Sequence, residues 1–208
     1  MLKHFKHHIL LEGGAKKVDI KDLEVGKVIR RKYEEWRAYA CAARTASNEL
    51  LTLLAQEPAD PERASGVDFA LVRFGNIDAD ALEQFNLWES DHGFPWHDSP
   101  EVIKSDARHL DLALWYGNLL CGLCFATPSG KRTVVRIKLL EGHPKRESGS
   151  HPLKRRVIQL CVLAVTQYCK IIGAELIEID SPLPGAVPIY VENEFQMVNG
   201  ALVLTLDE

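Results

Sequence analysis

Between Arg132 and Phe195 the chain orders a strand, a basic glycine-bearing loop, a long apolar helix and a second strand, a series that few folds accommodate. Thr133, Val135, Ile137 and Leu139 alternate with Val134, Arg136 and Lys138, which predicts a strand closed by Leu140. From about Leu153 to Ile172 apolar residues recur at helical spacing and on more than one side, the pattern of a core helix. Gly173 stops that helix, and the strand Ala174–Asp180 follows at once. A helix that carries the chain to a second strand in this way makes a parallel crossover.

The loop inside this unit holds Lys145, Arg146, Gly149, Lys154, Arg155 and Arg156. Cations at a helix start oppose the macrodipole, which favours acidic residues there. A pyrophosphate offsets that cost, because backbone N–H groups and long basic side chains both reach it. From the residues alone, side chains fanning into solvent remain the alternative reading.

Elsewhere the order is helices first, then hairpin strands. Tyr33, Trp36, Ala40, Ala43, Leu50, Leu51 and Leu54 recur at helical steps within about Val28 to Gln56, with Ser47 and Asn48 marking a break into two helices. Val67–Phe74 alternates as a strand, and Asp78 or Asp80 caps a helix running to Trp88. A polar and aromatic loop, Asp91–Pro100, precedes a short helix over Ser99–Ser105. Leu110–Tyr116, Gly117–Asn118 and Leu119–Thr127 read as a hairpin, and Pro128–Lys131 turns into the strand that follows. A helical piece around Ala186–Glu194 and a last strand, Ala201–Leu206, follow the crossover; His8–Leu11 reads as a short strand near the start. The fold class is α/β (α+β), a single mixed and largely antiparallel sheet flanked by helices, with one parallel crossover.

Composition narrows the function classes. The 208 residues suit one good core and leave two full domains tight. With 46% hydrophobic and 26% charged residues the chain is an ordinary globular sequence. A net charge of −4 argues against whole-surface affinity for nucleic acid, though the basic loop keeps nucleic acid open as a partner. No apolar run of 18 residues spans a membrane, and the apolar patch near Met1–His8 is too short for a signal peptide. Cys41, Cys121, Cys124, Cys161 and Cys169 are odd in number and mostly in apolar segments, which suits a reducing cytoplasm. Cys121 and Cys124 form a C-x-x-C within an apolar strand, with no helix start to activate them and no second pair at zinc spacing. They read as buried strand cysteines, and no metal site is expected.

Three ordered segments carry a resemblance. Arg146-Glu-Ser-Gly149-Ser-His151 follows a strand and opens a helix; Gly173-Ala-Glu-Leu-Ile-Glu-Ile-Asp forms the next strand; Gly185 to Phe195 gives a Tyr190-bearing helix and turn. From Leu110 to Leu206 this series resembles the GCN5-related N-acetyltransferases. The resemblance implies an acyl-CoA N-acyltransferase-like fold over 61–208, with 1–60 a helical extension packed on the same domain. It implies acetyl-CoA as co-substrate, held by Arg146, Gly149, Ser150, Lys154, Arg155 and Arg156 and by the backbone of Leu139 and Leu140. It also implies that Tyr190 protonates the departing thiolate. His151 and Glu194 stand where the family carries small residues. They motivate a second reading, an inactive acetyltransferase-like fold that binds a protein partner or CoA.

An attacking amine must lose a proton. Glu141, just past the expected strand end, is the first candidate base and His143 the second. Glu178 and Asp180 are candidates to orient a cationic acceptor. His92, Phe94, Trp96 and His97 either wall an acceptor pocket or anchor the loop through Trp96. The resemblance implies as acceptor an amine-bearing small molecule, peptide or aminoacyl group; a homodimer is compatible with the sequence.

Overall fold

A 37-residue helix, α1 (Ile20–Gln56), opens the computed structural model, which describes residues 20–56, 66–90, 93–96, 107–144, 151–179 and 181–206. Two compact units divide the chain, residues 1–32 and 33–208, and the features below belong to the second. The expected strand His8–Leu11 and helix Ser99–Ser105 lie outside the described residues.

Helix α1 is continuous through Ser47 and Asn48, where the sequence predicts a break. Ser47 turns its hydroxyl back to Ala43 O over 2.6 Å, which satisfies it without leaving the helix. Asn48 is spent on the sheet instead. Its Nδ2 donates to Phe74 O at 3.1 Å and its Oδ1 accepts from Phe74 N at 2.8 Å, so a side-chain amide closes the outer edge of the first strand.

That strand is shorter than expected. Asp68 accepts a bond from Ala70 N and caps a 3-10 turn, Phe69–Leu71, leaving β1 only Val72–Gly75. Asp78 caps α2 (Ala79–Phe85), and Trp88, beyond the helix end, is still buried. The hairpin β2 (Leu110–Tyr116) and β3 (Leu119–Pro128) forms as its Gly117–Asn118 turn predicts, and β4 (Val134–Gly142) continues the meander. Helix α3 (Val157–Ile172) crosses to β5 (Leu176–Ile179), parallel to β4. Then come α4 (Val187–Glu192), β6 (Gln196–Val198) and β7 (Ala201–Thr205). The strand β6 is absent from the sequence reading, although the Asn199-Gly200 pair that turns it into β7 has the positive φ angles (51° and 87°) of a tight hairpin.

The sheet runs β1-β2-β3-β4-β5-β7-β6, antiparallel except at β4–β5. On one face Trp36, Ala40 and Ala43 of α1 and the apolar side of α3 cover Leu112, Cys124, Val135 and Ile177. On the other, Ala81, Phe85, Trp88 and Trp96 cover Ala113, Leu120, Leu123 and Phe125. Each large side chain so buried stabilises the fold by roughly 1.5–3 kcal/mol. Cys121 and Cys124 are both buried in β3, as their apolar surroundings predict.

Candidate active site

The crossover opens a cleft because β4 outruns its partner. Pairing with β5 covers Val134 to Ile137 opposite Leu176 to Ile179; from Lys138 to Gly142, β4 has no β5 partner among the described residues. Against β3, Phe125 faces Leu139 while Ala126 faces Ile137, so Lys138 is an extra residue in β4. Such a bulge bends its strand and increases the local twist, and here it lies where β4 leaves β5. A cavity of about 590 Å³ lies at the divergence. Ile137, Leu140 and Glu141 line it from β4, His151, Arg155 and Val157 from the start of α3, and Ala186, Ile189 and Tyr190 from α4.

Glycine in β3 lets α3 come this near. A side-chain carbon on Gly122 would stand 2.5 Å from Val157 Cγ1, inside any real contact distance.

Glu141 lies within β4, opposite Leu123, and not past its end as the sequence suggests. Its side chain is buried, with both carboxylate oxygens engaged. Trp96 Nε1 donates to Oε2 at 2.7 Å, and Ser90 Oγ makes a short bond to Oε1. Trp96 is thereby a fully buried anchor, and Phe94, its neighbour in the loop, lines the cavity. His92 and His97 lie outside the described residues.

Tyr190 is 5% exposed, lines the cavity and rests edge-on against Phe195, ring centroids 5.5 Å apart. Burial, and then proximity to Cys124 and Cys161, pushes its phenol above the usual range. It therefore keeps its proton across the neutral pH range.

Residues 152–156 form turns, and the helix starts at Val157, four residues later than the periodicity predicts. Leu153 and Val157 are both buried, and the chain steps between them through Arg155 in a left-handed conformation, φ 66°, which a continuous helix would not allow. Lys154, Arg155 and Arg156 thus precede the helix. Arg155 lines the cavity, while Arg156 is the N-cap residue and makes no side-chain capping bond; no acidic residue stands in the first turn. Arg146, Gly149 and Ser150, together with Asp180, lie outside the described residues.

Leu140 lines the cavity, whereas the Leu139 side chain packs into the apolar cluster of the opposite face. His143 is 5.1 Å from the Trp88 ring and 5.7 Å from the His151 ring, by centroids. Its Nδ1 sits 2.7 Å from Pro144 O, and since a carbonyl only accepts, that nitrogen carries the proton. His151 lines the cavity, and burial together with the charge of His143 lowers its pKa to about 4. Its Nδ1 is buried with no hydrogen-bond partner among the described residues. Glu178 is paired with Arg136 at 2.6 Å on the sheet. Among the described residues, no three His, Cys, Asp or Glu side chains gather as a metal site, and no helix is long and apolar enough to cross a membrane.

No protein-family model matches the sequence, and no curated protein does. Solved structures do match. Ard1 from Thermoplasma volcanium aligns with a TM-score of 0.50 at 9% identity, over 66% of this chain and 99% of that one. The chain has the fold of the GCN5-related N-acetyltransferases. Two further matches are the N-acetyltransferase PseH of Campylobacter jejuni (TM-score 0.46, 9% identity, 66% of this chain and 99% of that one) and aminoglycoside 6′-acetyltransferase type Ii (TM-score 0.48, 15% identity, 65% and 97%). At these identities the likeness is one of fold.

Within this N-acetyltransferase fold, sequence reasoning missed Ser90 and the use of Trp96. A serine and a tryptophan binding one carboxylate from 51 and 45 residues away leave no local signal. His151 was legible only as a departure from a small residue, and the cavity contact gives that departure a location.

Proposed function

We propose that this protein is an acyl-CoA-dependent N-acetyltransferase that moves an acetyl group from acetyl-CoA to a primary amine by direct attack. The observation that carries this reading is the convergence of Glu141 and Tyr190 on one cavity, at the point where β4 parts from β5.

A CoA thioester fits the residues present. The start of α3 lacks a side-chain cap and carries Arg155 and Arg156, an arrangement suited to a diphosphate, and His151 Nδ1, without a partner among the described residues, is placed to take one from a ligand. In this reading Arg155 binds the diphosphate, together with Lys154, Arg156, Arg146, Gly149 and Ser150. The β5-facing edge of β4 at Leu139 and Leu140, unpaired among the described residues, offers backbone groups to the pantetheine arm. The acyl donor supplies a thioester carbonyl with a thiolate leaving group.

Glu141 acts as the base. Each of its oxygens accepts one protein hydrogen bond and so retains a lone pair for the proton of the attacking amine, taken directly or through water. His143, turned toward Trp88 and His151, is the less suited candidate. Tyr190 holds its proton at working pH and gives it to the thiolate as the C–S bond breaks. Phe94 forms part of the acceptor wall. The acceptor is an amine on a small molecule, a peptide or an aminoacyl group. Residues 61–208 carry the reaction, with 1–60 as the extension. A reducing compartment such as the cytoplasm suits the free cysteines, four of them buried.

Calorimetric titration with acetyl-CoA, free CoA and ADP tests the reading first. Micromolar binding that needs more than the ADP half supports it, and release of free thiol in the presence of an amine library then identifies the acceptor. Absence of binding to any of the three overturns it.

A further inference from the structure

Glu141 has both carboxylate oxygens engaged, whereas His151 has a buried ring nitrogen left over. It lines the cavity beside Arg155, its Nδ1 is buried without a partner among the described residues, and its ring lies 5.7 Å from that of His143. His143 is itself pinned, by Pro144 O on one side and Trp88 on the other, and its backbone N–H is bonded to Cys121 O at 2.9 Å. The two rings are therefore neighbours, one of them held in place and the other with a ring nitrogen left over among the described residues.

We propose that His151 is a donor-binding residue: its free ring nitrogen hydrogen-bonds a phosphate of the bound acyl donor, and the His143–His151 pair takes up a proton from solvent as that anion enters. This rests on the reading that the cleft binds a CoA thioester.

The surroundings set the direction of the coupling. Burial first, and His143 beside it, oppose a positive imidazole on His151; Lys138, Arg155 and Glu141 are the charged side chains that line the same cavity. Tyr190 from α4 stays neutral, and Cys121 of β3, pushed up to about 11 by burial, does so as well. In the free protein His151 is thus unprotonated near neutrality, with its pKa lowered to about 4. A phosphate beside it reverses the balance, because an anion in contact favours the charged ring. By linkage, CoA affinity rises as pH falls, by up to about tenfold per pH unit for one linked proton.

The test is calorimetry of CoA and of pantetheine with the full chain in PIPES and in Tris buffers, whose ionisation enthalpies differ and neither of which supplies a competing phosphate. The expected result is net proton uptake with CoA and none with pantetheine, which has no phosphate, and loss of that uptake with weaker CoA binding in His151→Gln. CoA binding without proton uptake, or equal uptake with pantetheine, overturns this inference while leaving the acyltransferase reading intact. Failure of CoA to bind at all overturns that reading and this one with it. The buffer comparison on the unaltered chain needs no variant, so a misfolded His151→Gln does not obscure the outcome.

Discussion

The indole of Trp96 and the carboxylate of Glu141, 45 residues apart, meet inside the protein over 2.7 Å, Nε1 donating to Oε2. This bond ties the 93–96 loop to β4, which borders the cleft. Trp96→Phe keeps most of the apolar packing but leaves a buried carboxylate oxygen without its donor, so a loss of about 1–3 kcal/mol is expected in urea unfolding. A loss below about 0.5 kcal/mol would mean that the bond to Ser90 alone satisfies the carboxylate.

Tyr190→Phe retains the ring that packs on Phe195 and removes only the hydroxyl. Turnover should fall by about 10²- to 10⁴-fold, the usual worth of a positioned acid, with acetyl-CoA affinity nearly unchanged. Steady-state rates alongside calorimetry separate the two quantities. Equal loss of both removes Tyr190 from the chemistry.

Gly122→Ala inserts a carbon that would lie 2.5 Å from Val157 Cγ1. The first turn of α3 must then move off the sheet, at a cost of about 1–3 kcal/mol for overpacking. Since that turn borders the cleft, CoA binding should weaken together with thermal stability. A variant as stable as the parent would show that the helix start shifts freely.

His151 links stability to pH. Its pKa is about 4 when folded against an ordinary 6.5, so the unfolded chain binds this proton first as pH falls. The contribution is complete above about pH 6.5 and is lost as pH drops toward about 4. His151→Gln should flatten the fall in unfolding free energy across that window relative to the parent. Identical slopes for the two proteins would assign the pH dependence to other groups.

Glu194 occupies left-handed backbone, φ 69°, after α4. Strain of about 1–2 kcal/mol at such a position outweighs the extra chain entropy that glycine loses on folding. Glu194→Gly should therefore stabilise the fold by about 0.5–1 kcal/mol in denaturant unfolding, with turnover unchanged. Destabilisation would mean that the Glu194 side chain makes a contact worth more than the strain.

Legibility in the sequence followed distance along the chain. The hairpin Leu110–Pro128 and the helix through Ile172 declared themselves, because alternation and the 3.6-residue period are set by neighbours a few positions apart. Ser47 and Asn48 misled for the same reason. Local propensity favours a break there, but Asn48 found its partner in Phe74, 26 residues on, and the helix continued. The start of α3 also shifted, because burying both Leu153 and Val157 outweighed continuing the helix through Arg155.

By itself the sequence determined the order of elements from the β2–β3 hairpin to β5, the one parallel crossover, and the presence of a basic entrance to a core helix, since each rests on periodicity or on residue type at a fixed offset. The tertiary structure alone decided that β4 diverges from β5 at Lys138, that Glu141 is held by Ser90 and Trp96, and that His151 faces a cavity beside His143. The reason is physical. A bulge, a buried hydrogen bond and an unpartnered ring nitrogen depend on which surfaces are brought together in three dimensions, and that is settled only when the whole core packs.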